Sequence, residues 1–338
     1  MSWSELLPEM LAAIAKKLTE PADYLRFRSV CSNWHAAAHS VDIPPFPKIS
    51  LLILPSDPSS TFRHIYSFSE DRLYRFHLPD YARETNLLRG SASGWLLASR
   101  DEKCFHLFHP FTPFSVVSKF SWAAIGFPTD PHCMSWDLSA SSVAFCLRNW
   151  KHGPGVKSIT HCEGNFYVLW DKKPIVQITN LDRSNPIAII DPPHTLVGDV
   201  LTADLAISPD ELFLLVRLEG CDLPYSHIFW LDRHKFADGE EWTEVKGIGN
   251  RAIFVDSLHC FLVEAGESTG LMKNCIYSVV SKTLNHNSTL QNVYIQQFNF
   301  DDMSSQILER KLSQYVINGW TCTFETSWFM PSLECKKN

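Results

Sequence analysis

Apolar residues fall at helical intervals along the first forty positions. Leu7, Leu11, Ile14 and Leu18 are separated by four, three and four residues, so they share one stripe of a helix, with Met10 beside it. Pro8 suits the first helical turn, because the N–H it lacks has no partner inside a helix at that point. Pro21 interrupts the pattern. A second short helix is predicted over Ala22 to Arg28 and a third over Val30 to Ala38, with Val30, Cys31 and Trp34 on one face. Three short helices are too little chain to bury a self-sufficient core. The module needs a covering surface, which is either another protein or the rest of its own chain.

From residue 43 the helical period disappears. Pro44, Pro45 and Pro47 read as a linker over 43–48, since each proline fixes its own backbone and disfavours helix in the residue before it. Short β-prone runs then alternate with turns. Residues 64–68 pair with 72–78 across the acidic turn Ser69-Glu70-Asp71, 94–98 with 104–108, and 165–170 with 175–178. The series continues with 211–216 and 227–231, 260–263 and 275–280, and 293–298 and 306–308. A recurrence of roughly 30 to 50 residues suits four-stranded propeller blades, and residues 49–335 supply six or seven of them. Two stacked sandwiches fit the same strands, because periodicity does not say which strands are neighbours. The predicted class is α+β and multidomain: a small all-α module at 1–42, the linker, then an all-β domain.

Composition narrows the function classes. Of 338 residues, 30 are Lys or Arg and 37 Asp or Glu, so the formal charge of −7 provides no global field toward nucleic acid or an anionic bilayer. The helical module is itself balanced, Lys16, Lys17, Arg26 and Arg28 against Glu5, Glu9, Glu20 and Asp23, so any affinity it has is hydrophobic. The apolar run at 49–54 stops at Pro55, far short of a bilayer span, and the N-terminus lacks a basic region followed by an apolar one. Ten cysteines without secretory features fit a reducing compartment, cytoplasm or nucleus.

The search for catalytic chemistry yields little. Gly90-Ser91-Ala92-Ser93-Gly94 has the outline of a nucleophile elbow, but Ala92 stands where the serine is required. No phosphate-binding glycine loop or zinc helix occurs. His132-Cys133, His161-Cys162 and His259-Cys260 are adjacent pairs, and neighbours on a strand point to opposite faces, so they read as structure. Glu240-Glu241 and Asp301-Asp302 read as solvated turns, and Trp170, Trp230 and Trp242 as core. No metal or cofactor is expected.

Two stretches carry resemblances. Leu7-Pro8-Glu9, Leu11, Ile14, Leu18, Pro21, Leu25, Arg28, Val30-Cys31 and Trp34 together resemble an F-box. That resemblance implies docking on a Skp-type adaptor, and through it on a cullin scaffold. Carried over by position, the adaptor-binding residues are Leu7, Pro8, Leu11, Ile14, Leu18, Val30, Cys31 and Trp34, some of which must instead hold the helices together. Farther on, Gly90 to Leu96 with Leu107 to Thr112, Glu211 to Arg217, Phe229 to Asp232, Trp242 to Val245, Gly249 to Val255, Lys273 to Tyr277 and Trp328 to Leu333 occur in the order of a KIB-type propeller. Such propellers follow F-boxes in SKIP-like plant proteins.

Together the resemblances imply a non-enzymatic substrate receptor of an SCF-type ubiquitin ligase, with the F-box at 1–42 and the propeller at 49–335 presenting a target protein. Two alternatives stay open: a ligase-independent binding protein whose F-box is a structural cap, and an enzyme using the propeller channel. The row from Leu7 to Leu18 discriminates them, since a receptor needs it accessible and a cap needs it covered.

Overall fold

A computed structural model describes residues 6–18 and 30–39 with Trp3, Asp23 and Phe27, then 51–54, most of 62–77, 87–89, 96–99, 104–108 and 120–121, most of 156–310, and finally 312, 316–318 and 327–329. Two N-terminal helices, α1 (Pro8–Ala15) and α2 (Ser32–His39), precede a region of strands. Of the expected middle helix only Asp23 and Phe27 are described, both helical; the remainder of that stretch and the linker at 43–48 lie outside the described residues. Helix α1 starts where the sequence predicts. Leu7 is extended, Pro8 follows in the first turn, and the Leu7 carbonyl accepts the N–H groups of Met10 and Leu11 at 3.0 and 3.1 Å.

The described strands form five sheets. In the first, β1 (Leu51–Leu54), β2 (Phe62–Ser67) and β3 (Arg72–His77) form a meander, and β22 (Ser327–Phe329) pairs antiparallel with the free side of β1. The ends of the strand region therefore meet in one sheet. The second contains β4 (Leu87–Arg89), β5 (Leu96–Ser99), β6 (Cys104–Phe108) and β7 (Phe120–Ser121) in chain order. The third runs β8 (Val156–Cys162), β9 (Asn165–Trp170), β10 (Val176–Thr179) and β11 (Ala188–Ile190). The fourth runs β12 (Val200–Ile207), β13 (Glu211–Leu218), β14 (His227–Asp232) and β15 (Thr243–Val245).

The fifth sheet departs from the meander. It joins β16 (Arg251–Val255), β17 (Cys260–Glu264), β18 (Cys275–Thr283), β19 (Leu290–Asn299), β20 (Ser304–Leu308) and β21 (Val316–Asn318), with β16 and β18 paired in parallel. The pairing of 260–263 with 275–280 expected from sequence is not formed. Strand β16 lies between them, antiparallel to β17 and parallel to β18. The other five expected pairs are present, from Ile65↔Tyr74 to Ile295↔Leu308.

Apolar cores lie between the third and fourth, the fourth and fifth, and the fifth and first sheets. Tyr167, Leu169 and Val176 of the third sheet meet Leu205, Leu214 and Phe229 of the fourth. The opposite face of the fourth packs Phe213, Leu215 and Ile228 on Ile253, Ile276 and Phe298 of the fifth. The fifth then packs Phe254, Tyr277 and Val293 on Leu52, Tyr66 and Trp328 of the first. A sheet covered on both faces needs apolar residues at consecutive positions, which is why Leu212-Phe213-Leu214-Leu215-Val216 is buried throughout and does not alternate. Trp328 seals the closing strand: fully buried, it donates from its backbone N–H to Asp256 Oδ2 at 2.9 Å and from Nε1 to the Val255 carbonyl at 3.1 Å.

Candidate functional site

The helical module has its own core. Leu11, Ala15, Phe27, Ala37 and Ala38 are buried together, with Leu6, Leu18 and Trp34 packed at the edge. Leu11 and Ala15, four residues apart, share the inward face of α1. On its other side Leu7 is 62% exposed, Met10 52% and Ile14 37%, at intervals of three and four. The single stripe expected from sequence thus divides into an inner and an outer row.

Each residue proposed for adaptor contact has a definite place. Leu7, Pro8, Ile14 and Val30 are exposed. Leu11 is fully buried within the module, where it joins the helices. Leu18, Cys31 and Trp34 are half-buried. Trp34 lies 4.5 Å from the Phe27 ring and donates from Nε1 to the Trp3 carbonyl at 3.1 Å. Cys31 accepts the His35 N–H on its carbonyl at 2.9 Å and starts α2. Met10, which the spacing puts beside the stripe and the F-box resemblance leaves out of the adaptor contacts, belongs to the exposed row.

A second cluster of polar groups lies inside the strand region. The Tyr225 hydroxyl donates to Asp204 Oδ2 at 2.7 Å, and Lys157 Nζ stands 3.8 Å from Asp204 Oδ1. Burial pushes the Asp204 carboxyl above the usual carboxylate range, and it also raises the Tyr225 hydroxyl and the Cys260 thiol. A thiol held protonated is a poor nucleophile, and this one is enclosed with Phe213, Ile228 and Val255. The cluster reads as a satisfied interior network. Gly90 to Gly94 and Glu240 lie outside the described residues, and Trp170, Trp230 and Trp242, expected in the core, are half-buried. Trp230 Nε1 donates to Glu211 Oε1 and Trp242 Nε1 to the Asp191 carbonyl, both at 3.0 Å. Asp302 Oδ1 caps the turn at the Ser304 N–H at 3.0 Å. His132, Cys133 and His259 lie outside the described residues. Among the described residues no three His, Cys, Asp or Glu side chains are placed to hold a metal ion together, and no helix is long and apolar enough to cross a membrane.

A family described as the KIB1-4 beta-propeller matches residues 65–301, the greater part of the chain. The chain belongs to the KIB1-4 beta-propeller family. The succession of sheets with cores on both faces, and the pairing of β22 with β1, are how this member of the KIB1-4 family builds its frame. Similarity extends to Arabidopsis thaliana proteins named as F-box proteins. At5g55150 is 25% identical over 317 residues, covering 82% of this chain and 85% of its own. At1g10110 is 33% identical over 115 residues, covering 33% and 27%. F-box protein SKIP23 is 40% identical over 62 residues, covering 18% and 15%.

Proposed function

We propose that this chain is the substrate-recognition subunit of an SCF-type ubiquitin ligase. An F-box at 1–42 docks a Skp-type adaptor, 43–48 is the linker, and a propeller of six or seven blades at 49–335 holds a target protein. The observation that carries the reading is the outward row Leu7, Met10 and Ile14, exposed on a helix whose opposite side already has its core. A structural cap would spend that row on its own chain. Similarity over 82% of the chain to At5g55150, a relative named as an F-box protein, supports the same reading. With Leu11 inside the module, docking falls to Leu7, Pro8, Met10, Ile14 and Val30, while Leu11, Leu18 and Trp34 fix the angle at which they are offered. This chain supplies proximity, raising the local concentration of target lysines, and the bond-forming chemistry resides in other subunits. It acts in the cytoplasm or nucleus, with no membrane, cofactor or direct nucleic-acid partner.

Co-expression with a Skp-type adaptor tests this. Wild type should co-purify with the adaptor, and Leu7→Ser with Ile14→Ser should abolish co-purification while the chain stays folded and monomeric. A wild-type chain that is soluble and monomeric alone and never captures adaptor overturns the reading.

A further inference from the structure

One end of the fourth sheet carries features that its packing does not explain. Strand β12 enters the sheet through a β-bulge: Val200 pairs with Leu218 and Thr202 with Arg217, so Leu201 has no partner across the ladder. The bulge turns Leu201 outward, 51% exposed, while Val200 on one side packs into the core below. Four residues earlier Val197 is 80% exposed, more than any other large apolar side chain among the described residues. Gly198 supports this presentation, because its φ of +119° is one that residues with a side chain rarely adopt. Two apolar side chains therefore stand in water by backbone design, at the loop end of an otherwise packed sheet.

Their surroundings are acidic. Asp199 lies between them in sequence, and its carbonyl accepts the Glu219 N–H at 2.9 Å, which brings the β13–β14 turn alongside. Asp199, Glu219 and Asp222 are all exposed. Arg217, the cation of this end, is turned to the backbone and donates to the Cys221 carbonyl at 3.3 Å. Among the described residues none of Asp199, Glu219 and Asp222 forms an ion pair, and farther along Glu244 lies 2.6 Å from His227 Nδ1. An apolar anchor beside exposed acidic residues is complementary to a segment with an apolar residue flanked by Lys or Arg.

We infer that Val197 and Leu201, with Asp199, Glu219 and Asp222, form the surface on which the target docks, and that it takes a basic, apolar-anchored peptide segment. The inference rests on the receptor reading above and gives it a target chemistry. The test is retention of the purified full-length chain on immobilised short peptides with a Leu-Val anchor flanked by Lys and Arg, by Asp and Glu, or by Ser. The basic set should retain the chain roughly tenfold better than the others at low salt, and the preference should shrink as ionic strength rises. Val197→Ser with Leu201→Ser should abolish retention. Asp199→Asn, Glu219→Gln and Asp222→Asn together should leave weak retention that no longer depends on flanking charge or salt. Equal retention on acidic and basic sets, retention surviving both variants, or no retention on any set overturns the inference. Adaptor capture is measured on the same preparations, so the two readings fail separately: capture without basic-peptide selection sinks this surface alone, and selection without capture sinks the receptor reading.

Discussion

Asp204 shows how a single residue couples burial to pH. Its carboxyl is enclosed with the Tyr225 hydroxyl 2.7 Å from Oδ2 and Lys157 at 3.8 Å from Oδ1. Burial is the leading cause of its raised pKa, outweighing the opposing pull of Lys157 and of the Tyr225 hydrogen bond. As pH rises the unfolded chain releases this proton first, at about pH 4. The contribution of Asp204 to stability is therefore full below that pH and is lost as pH climbs through the folded value. Asp204→Asn removes that loss, so the stability of wild type relative to the variant should fall steadily from acid to neutral pH, as followed by denaturant midpoints. Tyr225→Phe strips Oδ2 of its donor and should cost about 1–3 kcal/mol in the same measurement. No pattern in the sequence marks Asp204: it stands in a β-prone run, and its partners come from β8 and from the β13–β14 turn. Asp232, by contrast, follows a local rule, an Asp at a strand end bonding the backbone of the turn. It ends β14 and accepts the His234 N–H at 2.9 Å, the hydrogen bond that chiefly lowers its pKa.

At the scale of elements, α1 separates two kinds of leucine. Leu11→Ala removes a fully buried side chain and should destabilise the module by about 2–5 kcal/mol, seen as loss of helical circular dichroism at lower temperature. Leu7→Ala, at an exposed position, should leave the melting curve nearly unchanged and weaken only adaptor capture. Strand β22 makes a comparable point for the β region. Trp328→Ala leaves a large cavity where the first and fifth sheets meet and should cost about 3–5 kcal/mol, read as a lower denaturant midpoint. Hairpin partners were legible wherever a short turn joins two runs, as at the Glu70-Asp71 turn, where Asp71 adopts φ 49° and accepts the Tyr66 hydroxyl at 2.8 Å. The fifth sheet was not legible, because β16 and β18 pair in parallel across the intervening β17 and nothing local records that.

For the whole molecule, the expected consequence of an exposed row on a small module is linkage. A partner that binds only the folded module stabilises it by mass action, by about 2.7 kcal/mol when present at about a hundredfold its Kd. Thermal unfolding of the wild-type helices should therefore shift upward with added adaptor, while the Leu7→Ser, Ile14→Ser chain should show no shift. The net charge of −7 gives no attraction to nucleic acid, and it agrees in sign with the acids around Val197 and Leu201.

What the sequence determined by itself is local: the helical period before the prolines, the hairpins after them, the turn residues, and the order of motifs that resembles an F-box followed by a KIB-type propeller. Those features depend on residues close along the chain, where spacing and backbone preference act directly. Tertiary structure decided which side of α1 faces inward, how β16 comes between β17 and β18, how β22 returns to β1, and which apolar residues remain in water. Each of these depends on surfaces brought together from distant positions, and the free energy of covering a side chain is set by what lies against it, which no local pattern specifies.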